Sequence, residues 1–446
     1  MTDRPEIAAP SAAQEASERV PAASYGFLGF VTLLNVMNFV DRQLLASFAN
    51  FIVPDLGLTN TEFGLLTGLV FIIFYSVMGL LMGAAADVFH RPRLMAAALA
   101  LWSGLTAASG AARGFVSLAI PRALIGIGES ACTPTAMSML ADRFPPNRMG
   151  LAAGIYYTGV PIGAGLSLVI AGTLGPVIGW RNCFYALGAL GLVLAVGMLF
   201  VKERPRRGVE TDGGSVPSLG FGAILATLGR ALKLAPALGL TIGGGVALHF
   251  VLGAAAFDQL WLVQERGFER AEIARLTGMI GIVGGILGNL FGGIAGDWWQ
   301  QNTDQGRPML LFWIMLALAP VGLAYRLVPP DSIWFWIGIF GGFFQLGAFY
   351  GPTFSTVQEL VPPRIRGTVV AFYILMLNLV GLGIGVTSAG IAVDVLVKRG
   401  VEQPYTWTLL VFTVLASLSI PLFFLAGRRF HADRARLFAG MNPSGL

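Results

Sequence analysis

The chain has 446 residues, of which 55% are hydrophobic and 12% charged, and its mean hydropathy is +0.72. An ordinary soluble domain is about a quarter charged, so a soluble enzyme or a disordered regulator is excluded. At roughly 20 apolar residues per span, this length accommodates a polytopic α-helical membrane protein. The net charge of +5 and pI of 9.4 fit basic loops at a membrane face rather than nucleic-acid binding.

In chain order, residues 1–24 mix Asp3, Glu6, Glu15 and Glu18 with Arg4, Arg19, Ala and Pro. They lack the apolar core of a cleaved signal peptide, and a disordered cytoplasmic tail is expected. Twelve apolar runs follow, at 25–50, 62–86, 93–113, 115–141, 149–174, 179–201, 237–262, 273–296, 308–328, 332–360, 366–393 and 405–427. They predict an N-terminal six-helix bundle over 25–201 and a C-terminal one over 237–427, with a tail at 428–446. Between the bundles lies a linker, 202–236, with Arg204, Arg206 and Arg207. In its second half Phe221, Leu225, Leu228 and Leu232 recur near helical period, the pattern of an interfacial amphipathic helix. Cys132 and Cys183 sit within apolar runs and are expected to be buried thiols, not a disulfide framework.

With the N-terminus placed inside, 19 Lys and Arg fall in inside segments and 8 in outside segments. That bias predicts cytoplasmic termini. The halves also repeat. Gly83-Ala84-Ala85-Ala86-Asp87 recurs as Gly293-Ile294-Ala295-Gly296-Asp297, 210 residues later. Pro145-Pro146-Asn147-Arg148-Met149-Gly150 recurs as Pro362-Pro363-Arg364-Ile365-Arg366-Gly367, 217 residues later. Two unlike motifs at nearly one offset point to a duplicated transporter with its site at the repeat interface.

Gly83-x-x-x-Asp87 with Arg91 and Arg93 resembles the loop 2–3 signature of the major facilitator superfamily, departing from it at Val88, His90 and Pro92. Arg122-Ala123-Leu124-Ile125-Gly126-Ile127-Gly128-Glu129 resembles its helix 4 signature. Gly154, Gly159, Pro161, Gly163 and Gly165 resemble its helix 5 pattern, broken at Gly159-Val160-Pro161. Within the superfamily, Asn38-Phe39-Val40-Asp41-Arg42 and the run from Arg122 through Glu129-Ser130-Ala131 to Ala141-Asp142-Arg143-Phe144 look closest to the Spinster family. The resemblance implies twelve helices in two pseudo-symmetric bundles and a sphingolipid or lysolipid substrate class.

Charged residues within a span cost roughly 2.5–3.5 kcal/mol each on insertion scales and mark functional sites. Helix 1 carries Asp41 and Arg42, and helix 4 carries Arg122 and Glu129. Seven residues apart, Arg122 and Glu129 share a helix face, with Gly126 and Thr133. This stripe is expected to line a cavity, with Asp41 and Glu129 as proton-carrying acids and Arg42 and Arg122 as ion-pair partners or anion ligands. The alternative is a permanent ion-pair network joining the two helices. Asn35, Asn38, Thr133, His249, Gln345 and Asn378 are polar cavity candidates. Asp258 lies near the outer end of helix 7 and can simply reach the interface. At the cytoplasmic side Asp87 suits the positive N-terminus of a helix in the opposite half, and Arg91 can pair with Asp142. Asp297 is the second-half equivalent.

There is no H-E-x-x-H metal pair and no G-x-S-x-G nucleophile turn, so neither an enzyme nor a metal or cofactor site is expected. The reading is a secondary transporter working by alternating access, proton-coupled, for a lipid-like or amphiphilic anion. The alternative is a proton symporter of a small polar organic acid. The expected partners are substrate, protons and membrane lipids, with no nucleic acid. A monomer in a bacterial inner membrane is expected.

Overall fold

The computed structural model describes residues 20–205, 221–361 and 366–440. Most of the expected tail 1–24, much of the linker and the repeated Pro362–Ile365 lie outside the described residues.

Twelve helical segments account for the described bundles. In the first half they are α1 (Ala22–Ser47), α2 (Asn60–Thr67 and Leu69–Val88), α3 (Arg91–Ser109), α4 (Phe115–Glu129 and Cys132–Ala141), α5 (Pro146–Tyr157 and Gly159–Thr173) and α6 (Gly175–Leu199). In the second half they are α7 (Pro236–Ala254 and Asp258–Gln264), α8 (Arg270–Asn302), α9 (Pro308–Ala324), α10 (Ile333–Glu359), α11 (Arg366–Leu375, a π-helical turn Met376–Gly383, and Ile384–Lys398) and α12 (Pro404–Ala416 and Ser419–Gly440). Ten of them are long and apolar enough to cross a bilayer, and α3 and the 17-residue α9 complete the set. A linker helix, Phe221–Leu234, precedes α7. α12 continues to Gly440, so residues 428–440, expected as tail, are helical.

The duplication seen in the sequence reappears as packing. α1 packs on α5, α2 on α4 and α3 on α6; at a shift of six helices, α7 packs on α11, α8 on α10 and α9 on α12. The halves meet along α5–α8 and α2–α11. Glycine permits the first of these approaches: a Cβ on Gly165 would sit 2.7 Å from the Gly278 carbonyl oxygen, and one on Gly278 2.7 Å from that of Gly165.

Contacts between the halves concentrate at the end away from both termini. A shared apolar core there joins Phe48, Ile52 and Phe63 to Phe257, Trp261, Ile273 and Val386. The Asp394 carboxylate on α11 accepts from the backbone N–H of Asn60 (3.1 Å) and of Thr61 (2.8 Å) at the start of α2, and from both their side chains. Tyr405 donates to Asn60 (2.7 Å), and Asn50 to the Gln259 carbonyl (2.7 Å). Thr59 caps the third N–H of α2, that of Glu62, so the helix end is satisfied partly from its own half and partly from the other.

Candidate functional site

The four first-half charges cluster between α1 and α4, but they divide into unlike roles. Arg42 Nε lies 3.3 Å from Glu129 Oε2. Its guanidinium sits over the rings of Tyr75 (4.3 Å), Phe39 (5.0 Å) and Phe71 (5.2 Å). Arg122 instead spends its donors on backbone: Nη2 to the Arg42 carbonyl (2.7 Å), Nη1 to that of Asp41 (3.3 Å) and Nε to that of Leu66 (3.4 Å). It clamps α4 to α1 and α2. The Asp41 carboxyl is buried beside the Trp102 indole, and among the described residues no donor reaches it in good hydrogen-bond geometry. An ionised carboxylate is costly in such a place unless a donor reaches it.

Arg122, Gly126, Glu129 and Thr133 of the expected helix 4 stripe are not among the residues that line the cavity between the halves. Gly126 brings the α2 backbone so close that a Cβ there would meet the Phe71 carbonyl oxygen at 2.8 Å, and that packing covers the stripe. Asn35 and Asn38 are also buried away from the cavity. Asn35 donates to the Tyr156 carbonyl (2.8 Å), and Asn38 lies beside Glu129. Thr133 hydrogen-bonds the Tyr156 hydroxyl at 3.2 Å. These three residues organise the first-half interior rather than the cavity wall.

A cavity of about 360 Å³ lies between the halves. Arg42, Phe71 and Tyr75 line its first-half side, and His249, Gln345, Tyr350 and Asn378 line the other. His249 Nδ1 is 2.8 Å from the Gly245 carbonyl oxygen, and its ring packs on Phe349 and Tyr350. Asn378 sits in the π-helical turn of α11, an irregularity of the kind found at functional sites. Gln345 reaches Met315.

Two charged residues were not expected in the cavity. Arg326, one of the eight cations of the outside segments, pairs with Asp258 at 2.7 Å, and both line the cavity. Each is a single charge within or at the edge of an apolar run, a signal for a site but not for their pairing.

At the end carrying the termini, Arg91 pairs with Asp142 as the sequence suggested, and also with Glu203 (2.9 Å). Burial would raise the Glu203 carboxyl, but hydrogen bonds from Arg91 outweigh it and hold that group below its ordinary 4.5. Asp297 pairs with Arg307 (2.9 Å), which also binds Glu359. Glu203 and Glu359 were not anticipated because each lies at the end of an apolar run and belongs to neither repeated motif. The Asp87 side chain lies outside the described residues, so its expected contact with the opposite half does too.

The sequence profile of the Major Facilitator Superfamily matches residues 31–386. The chain belongs to that superfamily. A Mycolicibacterium smegmatis protein named MFS-type efflux pump is 27% identical over 443 residues, covering 96% of this chain and 99% of the relative. A Bacillus subtilis hexuronate transporter is 28% identical, covering 82% of this chain and 87% of the relative. The Drosophila melanogaster protein spinster is 26% identical, covering 78% of this chain and 58% of the relative. The fold matches a solved bacterial homologue of the lysosomal transporter Spinster in its inward-facing, unoccupied conformation, with a TM-score of 0.78 at 24% identity over 92% of this chain and 98% of that one. A superfamily transporter related to Spinster proteins accounts for the six-plus-six packing and for a cavity between the repeats.

Proposed function

We propose that this transporter is proton-coupled and moves an amphiphilic anion by alternating access. One observation carries the reading. Arg42 presents its guanidinium to a cavity otherwise walled largely by aromatic and aliphatic side chains, while its ion-pair partner Glu129 is fully buried behind it. An arriving anionic head competes with Glu129 for Arg42. Glu129, losing its counter-charge, is then better neutralised by a proton. Departure of the substrate restores the pair and releases the proton. The apolar wall suits a hydrocarbon body better than the many hydroxyls of a sugar acid. The hexuronate transporter among the relatives supports the alternative of a small polar organic acid.

With both termini in the cytoplasm of a bacterial inner membrane, the contacts around Asp394 close the outer side and the cavity serves the inner one. Contacts of Asp87 and Asp297 with the opposite half then belong to the outward-open state. A monomer contains the whole site. The test is proton flux into proteoliposomes on adding a lysophospholipid or, separately, glucuronate. The expected result is flux evoked by the lysophospholipid and abolished by Glu129→Gln. Flux evoked by glucuronate alone overturns the amphiphile. Labelled-lipid uptake without proton movement overturns the coupling.

A further inference from the structure

The cavity is faced by two ion pairs, one in each half, and they present opposite charges to it. In Arg42–Glu129 the arginine side chain is 18% exposed and the glutamate 0%, so the cavity meets the cation. In Arg326–Asp258 the arginine side chain is 3% exposed and the aspartate 30%, so the cavity meets the anion. Arg326 is held in that hidden position. Its guanidinium lies over the rings of Trp261 (4.6 Å) and Tyr325 (4.4 Å), and Arg266 donates to its carbonyl. Beside the pair, Gln259 is 6% exposed; its Nε2 donates to Thr277 (3.0 Å), but its Oε1 is buried without a partner among the described residues. Asp258, Gln259, Thr277 and Arg326 all line the one cavity that Arg42 lines from the other half.

A pair whose cation is pinned under aromatic rings and whose anion is left open is poorly explained as packing alone. Each half thus contributes one pole, and the apolar wall lies between them. We propose that Asp258, positioned by Arg326, is a specificity-determining contact that accepts hydrogen bonds from a protonated amine of the substrate, so that the transported molecule is a zwitterionic amphiphile. This rests on the amphiphilic-anion reading above and refines it. Arg42 takes the anionic group, Asp258 takes the ammonium, and Gln259 Oε1 offers a second acceptor beside it. Desolvated charge pairs of this kind discriminate strongly against analogues lacking one charge, because the protein's own charge is then left unmatched.

The test compares two labelled probes in proteoliposomes, dodecyl sulfonate and ω-aminododecyl sulfonate, which differ by one amine. The expected result for the wild type is a preference for the aminated probe of about tenfold or more. In Asp258→Asn the ratio of the two uptake rates falls toward one. Asp258→Asn with Arg326→Gln removes the pair without leaving a buried charge unmatched. It loses the preference too, so the result does not depend on the single variant folding. Equal handling of the probes by the wild type, or a preference that survives in both variants, overturns the inference while leaving the amphiphilic-anion reading intact. Uptake of neither probe by a wild type that carries glucuronate overturns that reading and this inference together.

Discussion

Removing the Asp394 carboxylate should open the outer side of the transporter. Its two oxygens accept four hydrogen bonds from Asn60 and Thr61, at 2.6–3.1 Å, across the boundary between the halves. Two of the donors are the first free N–H groups of α2, where the helix dipole also favours an anion. A hydrogen bond to a charged group contributes about 1.5–3 kcal/mol net, and bonds sharing one acceptor group are not additive. Asp394 is half-buried, and water replaces part of the loss when the halves separate. A net value of about 2 kcal/mol for the closed state is therefore reasonable, which corresponds to about a thirtyfold shift of population. Asp394→Ala should show that full shift. Asp394→Asn should show about half of it in free energy, since its amide nitrogen cannot accept from Thr61. The probe is Ser47→Cys on α1, buried at 3% exposure and lining the cavity. Its rate of reaction with a membrane-impermeant maleimide, added from the side of the α1–α2 connection, reports opening. Cys132 and Cys183 are buried and give a low background. A labelling rate in Asp394→Ala within twofold of the parent, with the protein still folded, would refute the reasoning.

The two first-half arginines should part company under the same conservative change. Arg122→Lys keeps the charge but loses the fork that reaches three carbonyls on two helices. It should cost about 2–4 kcal/mol of stability, seen as a lowered melting temperature in detergent. Arg42→Lys should leave the melting temperature nearly unchanged and raise the substrate KM; the opposite ranking would reverse the roles assigned to them. Glu203 gives a pH prediction. Its carboxyl is held below the ordinary 4.5, so its contribution is fully present above about that pH and fades as the pH falls through the lower folded value. Glu203→Gln should lower stability by about 1 kcal/mol at neutral pH, and the gap from the parent should close in acid. A gap that persists under acid conditions would show that the Arg91 contact is not what stabilises through Glu203.

What the sequence could and could not reveal follows from where the information is local. Spans, duplication and the Arg91–Asp142 pair are written in runs and in short motifs, and a motif that repeats at one offset constrains the packing of six helices at once. The fate of Arg122 is not local. Its face of α4 is the one expected, but whether that face meets a cavity or another helix depends on Gly126 admitting the α2 backbone. The Asp258–Arg326 pair is invisible for the same reason: 68 residues separate its members, and each alone resembles an interfacial charge.

Asp394 carries the point further, because its role becomes intelligible only against Asp87. Each acid lies near the C-terminal end of a helix, α11 or α2, that packs along the other across the boundary between the halves. Asp394 closes on the N-terminus of α2. The contact expected for Asp87 is its reciprocal, on a helix N-terminus of the opposite half at the other membrane face. If Asp87 makes that contact, the two carboxylates cannot both be seated during a rocking motion of rigid halves, and the energy lost at one is available at the other. On this account Asp394→Ala and Asp87→Ala shift the same equilibrium in opposite directions, and the double variant should return it toward the parent position.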